Sequence, residues 1–424
     1  MDWNGPNDPD NPRNFSLARR FMGIVSITLL AFVSAFAGAI YAPTQTAVME
    51  VMNCSSEITI LPLILYNLGL AFGPHFGTSL SKTYSRKAVY LTTTSVLILF
   101  MIGGAVSNTI SGLTLCRFFA AVFGLSNISN ASAIILDYMH DSKRGTVLAI
   151  YYTLPTVTAT LAPLVPVILI VAFFSPLIFT RETYKAVILR CRATQQGMAD
   201  HLFIILFQRP IHILLTEPIV IFISLYNGFL FSLLYAFVIS VPWVFEKYYG
   251  FNLTTQTLTY LNMTVGDMVA CISYALIDRY FFLPRLHSWK QAHEPSLKIP
   301  LESHLVSALG GSLLLPPSLL ILIFIVLQGL SMFSCLLVYS GTNLYMMDTY
   351  GLFYGASASG AMMFSRYILS CAFLMFILQI FEELGVGWAT TVLATLTLFI
   401  ALIPWIFWIY ESQIRKVSKY KTTL

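Results

Sequence analysis

The chain has 424 residues, 57% of them hydrophobic and only 10% charged, with a formal net charge of +5 and a mean hydropathy of +0.75. So little charge cannot cover the surface of a soluble domain of this length. The 24 Lys and Arg residues are scattered through short gaps rather than gathered in a patch, which argues against nucleic acid as a partner.

In chain order, residues 1–21 form a polar leader rich in Pro, Asn and Asp. No apolar stretch precedes residue 22, so the leader does not read as a cleavable signal peptide and is expected in the cytoplasm. Apolar runs follow at 22–43, 58–80, 88–106 and 113–139, each close to or above the roughly 20 residues a helix needs to cross a bilayer. Lys82, Arg86 and Lys87 follow the second run, and Lys143 and Arg144 follow the fourth. Alternating basicity of short loops orients a repeatedly threaded chain, with the basic side in the cytoplasm. The apolar stretch 146–179 closes an N-terminal membrane bundle, 22–180, and a basic linker, 181–212, follows it. A C-terminal bundle, 213–410, has runs at 213–244, 258–277, 305–344, 356–381 and 386–410, and a basic tail, 411–424, ends the chain.

Threaded from a cytoplasmic N-terminus, the chain leaves Lys247 as the one basic residue in an outside loop, with Arg117 and Arg366 within spans. The sequons Asn53-Cys54-Ser55 and Asn252-Leu253-Thr254 fall outside, which makes Asn53 and Asn252 candidate glycosylation sites. Sequons at Asn127, Asn130 and Asn262 fall within spans and are chance matches. The six cysteines show no CxxC spacing, and no metal site, nucleophile constellation or Walker motif is present, so neither a cofactor nor an enzymatic activity is expected. Two helical halves joined by a basic cytoplasmic loop is the layout of many secondary transporters, although a channel or receptor fits the pattern as well.

The leader Trp3-Asn4-Gly5-Pro6-Asn7-Asp8-Pro9-Asp10-Asn11-Pro12-Arg13-Asn14-Phe15 resembles the W-x-G-P-x-D-P-x-N-P-x-N-W leader of fungal drug:proton antiporters of the major facilitator superfamily, which include polyamine and multidrug exporters. Ala39-Ile40-Tyr41-Ala42-Pro43 is similar to the end of that family's first span. Arg117-Phe118-Phe119-Ala120-Ala121-Val122-Phe123-Gly124 is similar to its fourth-span motif. Arg181-Glu182-Thr183-Tyr184, Thr216-Glu217-Pro218-Ile219-Val220 and Gly385-Val386-Gly387-Trp388-Ala389 resemble the close of span six and the starts of spans seven and twelve. The resemblance implies an all-α polytopic membrane protein with the major facilitator fold, about 12 spans in two six-helix bundles around a central cavity. It also implies proton-coupled export of small organic or cationic compounds across the plasma or vacuolar membrane, by a monomer whose partners are substrate, protons and lipid.

The chain departs from the family in three places. The loop after span two has Lys82 where the family has an acid, and Ser85 where it has a turn glycine. The fifth-span glycines are absent from the stretch around Pro163. Spans five and six must share 146–179, and spans nine and ten must share 305–344, so both pairs are expected to be shortened. These departures predict impaired or altered transport, and the alternatives to export are a transport-impaired paralogue, a gene model from which exon sequence is missing, or a non-transporting membrane sensor.

An arginine inside an apolar run needs an internal partner, which makes Arg117 either a cavity or proton-pathway residue or a helix-end side chain reaching the interface. Arg366 matches a family arginine in span eleven. Asp267 and Asp348 are candidate intramembrane carboxylates, and Asp348 reads equally as the cytoplasmic end of span ten. Glu217 reads as an interfacial acid or cap. Tyr66, Asn67, Asn127, Asn130, Tyr226, Asn227 and Tyr235 are candidate cavity-lining residues, with interhelical hydrogen bonding as the alternative. Lys82, Arg86 and Asp137 are expected at a cytoplasmic gate, where Asp137 would pair with Arg86.

Overall fold

The computed structural model describes residues 8, 11–83, 86–139, 147–148, 150–154, 157–158, 209–285, 288, 305–320 and 325–418. Among these residues the chain is almost entirely helical and contains no strand. It divides into two compact units, Met1–Pro210 and Ile211–Leu424.

The first unit contains α1 (Leu17–Ala39), α2 (Gln45–Met52), α3 (Ser56–Thr83), α4 (Arg86–Val106) and α5 (Ile110–Tyr138). The leader ends in a hydrogen-bonded turn. The Asn11 N–H and the Asn14 side-chain amide donate to the Asp8 carbonyl at 3.1 and 3.0 Å, and Phe15 then packs on Tyr138 at the end of α5, with ring centroids 6.2 Å apart. α3 crosses α5 at backbone contact because Gly69 and Gly73 lie one turn apart on its contact face. A Cβ at Gly69 would run into the Phe118 carbonyl, and one at Gly73 would stand 2.8 Å from the Val122 carbonyl oxygen.

The second unit contains α6 (Arg209–Thr216), α7 (Pro218–Tyr249), α8 (Leu253–Ile277), α9 (Leu305–Leu320), α10 (Ile325–Ile400) and α11 (Leu402–Val417). The apolar run 213–244 is therefore interrupted at Glu217, where Pro218 takes the first helical position and needs no N–H partner. α7 stops at Gly250, whose φ of 66° is the left-handed conformation that a helix C-terminus commonly adopts. Asn252 caps α8 by accepting the Thr255 N–H at 3.0 Å, and the far end of α8 runs into a π-turn over Asp278–Phe282.

α8 shows most directly what solvent this fold requires. Leu258, Leu261, Val265, Met268, Ile272 and Leu276 recur every three or four residues and are all exposed. The opposite face carries Tyr260, Thr264, Asp267 and Asp278, all buried. A helix with apolar residues outside and polar residues inside is stable only where the surroundings are themselves apolar. Six stretches are long and apolar enough to cross a membrane among the described residues: Leu17–Ala39, Glu57–Pro74, Ala88–Val106, Pro218–Tyr249, Leu258–Arg285 and Ser357–Tyr410.

α10 is helical over 76 residues but is not one rod. A rod of that length would extend roughly 110 Å, against about 30 Å of bilayer core. A Cβ on Gly355 would sit 3.1 Å from the Met347 carbonyl oxygen, a separation only a sharp reversal allows. Accordingly, Arg366 lies over the ring of Tyr339 at 5.0 Å, although a straight helix would hold them roughly 40 Å apart. Gly385, with φ of 71°, marks a second break. α10 thus supplies spans ten and eleven and the start of span twelve.

The described part of α9 has 16 residues, with residues outside the description on either side, so the expected shortening of span nine lies partly outside the described residues. α9 packs on α10 where Gly311 meets the backbone of Ser334, and the Ser318 and Ser331 hydroxyls bond across the pair at 2.9 Å. Most of 146–179, with the expected shortening of spans five and six, lies outside the described residues, as do 321–324.

Candidate functional site

In the first unit Arg117 sits on the second turn of α5, only 5% exposed. Its guanidinium donates to the carbonyls of Ala37 and Gly38 at 3.3 and 2.9 Å. Those carbonyls belong to the last turn of α1, where intrahelical partners run out and the helix end carries partial negative charge. The rings of Tyr41 and Tyr66 flank the cation at 4.7 and 4.8 Å. Their hydroxyls donate to the carbonyls of Thr59 and Ser34, so both rings are fixed. Gly38 makes room for this arrangement, since a Cβ there would lie 2.6 Å from the Tyr66 ring. Arg117 therefore does not reach out to an interface; it ties α1, α3 and α5 together. Asn67, next to Tyr66, is fully buried, and neither end of its amide meets a hydrogen-bond partner among the described residues.

The second unit holds a layered polar interior between α7 and the two antiparallel legs of α10. In one layer the Asn227 amide donates to the Thr342 hydroxyl at 3.0 Å and approaches the Met362 sulfur at 3.5 Å. One turn along each element is Arg366, 6% exposed, enclosed by Phe231 at 4.2 Å, Tyr339 at 5.0 Å and Tyr367 at 4.9 Å. It donates to the Tyr367 hydroxyl at 3.0 Å and also bonds the Tyr339 side chain. Tyr235 stacks edge-on against Phe231, 5.0 Å between centroids. Gly228 brings α7 this close, because a Cβ there would lie 3.5 Å from the Cα of Arg366. The Tyr226 hydroxyl and both ends of the Asn343 amide are buried with no hydrogen-bond partner among the described residues.

Asp267 lies on the buried face of α8, 1% exposed, with the Cys335 thiol of α10 as an ionisable neighbour. Gly266 beside it lets α8 touch the backbone of α10 at Gly329. Asp348 is half-buried near Tyr274 and Asp278, two residues before Tyr350 and so at the end of span ten. Glu217 is fully buried rather than interfacial, and its side chain makes no capping bond. Its Oε2 accepts from the Tyr350 hydroxyl at 2.9 Å and the Ser418 hydroxyl at 2.5 Å, joining the start of α7 to α10 and to the end of α11. Asn53 is exposed, in the left-handed conformation after α2, and Asn252 is exposed at the start of α8. The side chains of Lys82, Arg86, Asn127, Asn130 and Asp137 lie outside the described residues. No group of three or more His, Cys, Asp or Glu residues suits a metal ion among the described residues.

Sequence reasoning missed Phe231, Tyr339, Thr342, Asn343 and Tyr367. The run Tyr339-Ser340-Gly341-Thr342-Asn343, polar within an apolar stretch, was the available signal. Asp278 was missed too, although it closes an apolar run.

Residues 27–374 match the model of the Major Facilitator Superfamily. The chain belongs to that superfamily. Among curated superfamily relatives, the major facilitator-type transporter sorT of Penicillium rubens is 28% identical, over 98% of this chain and 87% of its own length. Polyamine transporter 4 of Saccharomyces cerevisiae is 26% identical, over 99% and 73%. The fold is that of the proton:xylose symporter XylE, with a TM-score of 0.65 and 13% identity, over 93% of this chain and 96% of that one. Superfamily members are transporters rather than enzymes, and this chain is an integral membrane protein that binds small-molecule substrates. The alignment with sorT runs to 463 positions against the 424 residues present here, so the relative carries internal residues that this chain lacks.

Proposed function

We propose that the chain exports small organic compounds by alternating access, driven by protons moving inward, as a monomer in the plasma membrane. The observation that carries this reading is the polar interior of the second unit. Asn227, Asn343, Asp267 and Arg366 are buried among helices whose outer faces are apolar, an expense tolerated where a pathway needs it. The resemblance to fungal exporters supplies the direction of transport. Asp267 is the proposed proton carrier, since a carboxylate on a buried face can exchange a proton as access alternates. The test is an efflux and drug-sensitivity panel in yeast deleted for its own exporters. Expression should lower accumulation of at least one compound, and a protonophore should abolish the effect. Normal surface expression with no efflux of any compound contradicts the reading.

A second reading, a transport-impaired product of a shortened gene model, is favoured by the residues missing relative to sorT. Sequencing the transcript separates the two. A message encoding additional residues between 146 and 179 or between 305 and 344 assigns the defect to the gene model.

A further inference from the structure

Arg366 poses a problem of charge. It is buried on the interior side of spans ten and eleven, and its partners are two phenol hydroxyls and three aromatic faces. No carboxylate pairs with it among the described residues, and its Nε has no hydrogen-bond partner among them. A guanidinium removed from water and left without a counter-charge is costly, and aromatic faces offset only part of that cost. Arg117 differs, because the carbonyls at the end of α1 supply negative charge to it.

The surroundings fit one kind of occupant. Ser370 lies one turn from Arg366 on the same helix face, fully buried, its hydroxyl also unpartnered among the described residues. The Arg366 N–H and the Ser370 O–H supply two donors one turn apart, to which an acceptor with two oxygens is suited. Phe231, Tyr235 and Tyr339 are only partly buried, so their rings keep surface that an apolar group could cover. A donor pair beneath aromatic walls suits an amphipathic anion better than a cation.

We propose that Arg366 and Ser370 bind the carboxylate of an aromatic organic acid, whose apolar body rests on Phe231, Tyr235 and Tyr339. This assignment rests on the transport reading above and narrows its substrate class, away from the polyamines that the relatives suggest and toward organic anions.

The test uses the full-length protein in lipid nanodiscs and three probes of one shape: 2-naphthoate, 2-naphthamide and 2-naphthylmethylammonium. Wild type should bind the naphthoate most tightly. Arg366→Gln should weaken naphthoate binding on the order of 10- to 100-fold, the loss expected of one charge-assisted hydrogen bond, and should leave amide binding within about 2-fold. Retained amide binding by Arg366→Gln also demonstrates that the variant is folded, and Arg366→Lys should recover part of the naphthoate affinity. Ser370→Ala should give a smaller loss in the same direction.

Tighter binding of the ammonium probe, naphthoate binding that ignores Arg366→Gln, or no binding of any probe would each overturn the assignment. So would displacement of naphthoate by chloride at concentrations below those at which naphthoate binds, which would identify the occupant as an inorganic ion. The two readings fail separately in cells making wild type or Arg366→Gln. Efflux of naphthoate unchanged by Arg366→Gln overturns the anion site and leaves export standing. Arg366-dependent binding of naphthoate without efflux of any probe overturns export and leaves the anion site standing.

Discussion

Replacing Gly266 by alanine perturbs the second unit where it can least yield. The new Cβ would stand 2.8 Å from the Gly329 carbonyl carbon and 3.0 Å from its Cα, with the carbonyl oxygen closer still. All three atoms belong to backbone, so no side chain can swing aside. Relief requires α8 and α10 to part by about 1 Å along their contact, which forfeits a sizeable share of the dispersion energy there. Overpacking of this kind costs about 1–3 kcal/mol, and more where backbone meets backbone. Alanine returns at most about 1 kcal/mol through its better helix propensity. The control is Gly360→Ala, where a Cβ meets nothing within 4 Å and only the propensity gain remains. In thermal unfolding of purified protein, followed by loss of the monodisperse peak on size exclusion, Gly266→Ala should melt roughly 2–4 °C below wild type, the shift that about 1 kcal/mol produces in a unit of this size. Gly360→Ala should melt at or slightly above wild type. Equal melting temperatures for the two variants would refute the backbone-contact argument.

Arg117→Met should destabilise the protein by about 2–4 kcal/mol, because it orphans two buried carbonyls, and Arg117→Lys should restore less than half, since an ammonium cannot match a planar guanidinium between two rings; denaturation of both variants checks this. Tyr350→Phe and Ser418→Ala should each cost about 1–3 kcal/mol, and the double variant more than the sum, because both hydroxyls donate to one oxygen of Glu217 and either one partly compensates for loss of the other. A double-mutant thermal cycle that proves additive would contradict shared bonding. In a eukaryotic host, Asn53→Asp and Asn252→Asp should each abolish one endoglycosidase-sensitive mobility shift; aspartate at 252 keeps the α8 cap. An unglycosylated wild type would argue against the outside placement of both loops.

Much of the helical layout was legible because hydropathy reports lipid exposure one span at a time. The apolar run 88–106 is α4 within two residues, and 258–277 ends where α8 ends. Two places were harder. Glu217-Pro218 breaks the run 213–244 into α6 and α7, and the two helices within 305–344 were expected through the family resemblance alone, because a run of apolar residues carries no mark where the chain reverses. The candidate site was legible as residue types and not as an assembly. Arg366, Asn227 and Tyr235 were found because polar groups in apolar runs require an explanation. Their partners were not, since Arg366 meets Phe231 and Tyr339 only through the reversal near Gly355 and the close approach at Gly228. Glu217 looked interfacial for the same reason, because Tyr350 and Ser418 lie 133 and 201 residues away along the chain.

The central claim, proton-driven export, is tested most directly in proteoliposomes with an imposed pH gradient. Radiolabelled naphthoate and its amide and ammonium analogues are loaded in turn, with the exterior acidified on the side that corresponds to the outside of the cell. The account predicts acceleration of substrate release by the gradient, alkalinisation of the outer medium in step with it, and loss of both in Asp267→Asn while substrate binding persists. Release of every substrate at a rate indifferent to the gradient, in wild type and Asp267→Asn alike, would contradict it.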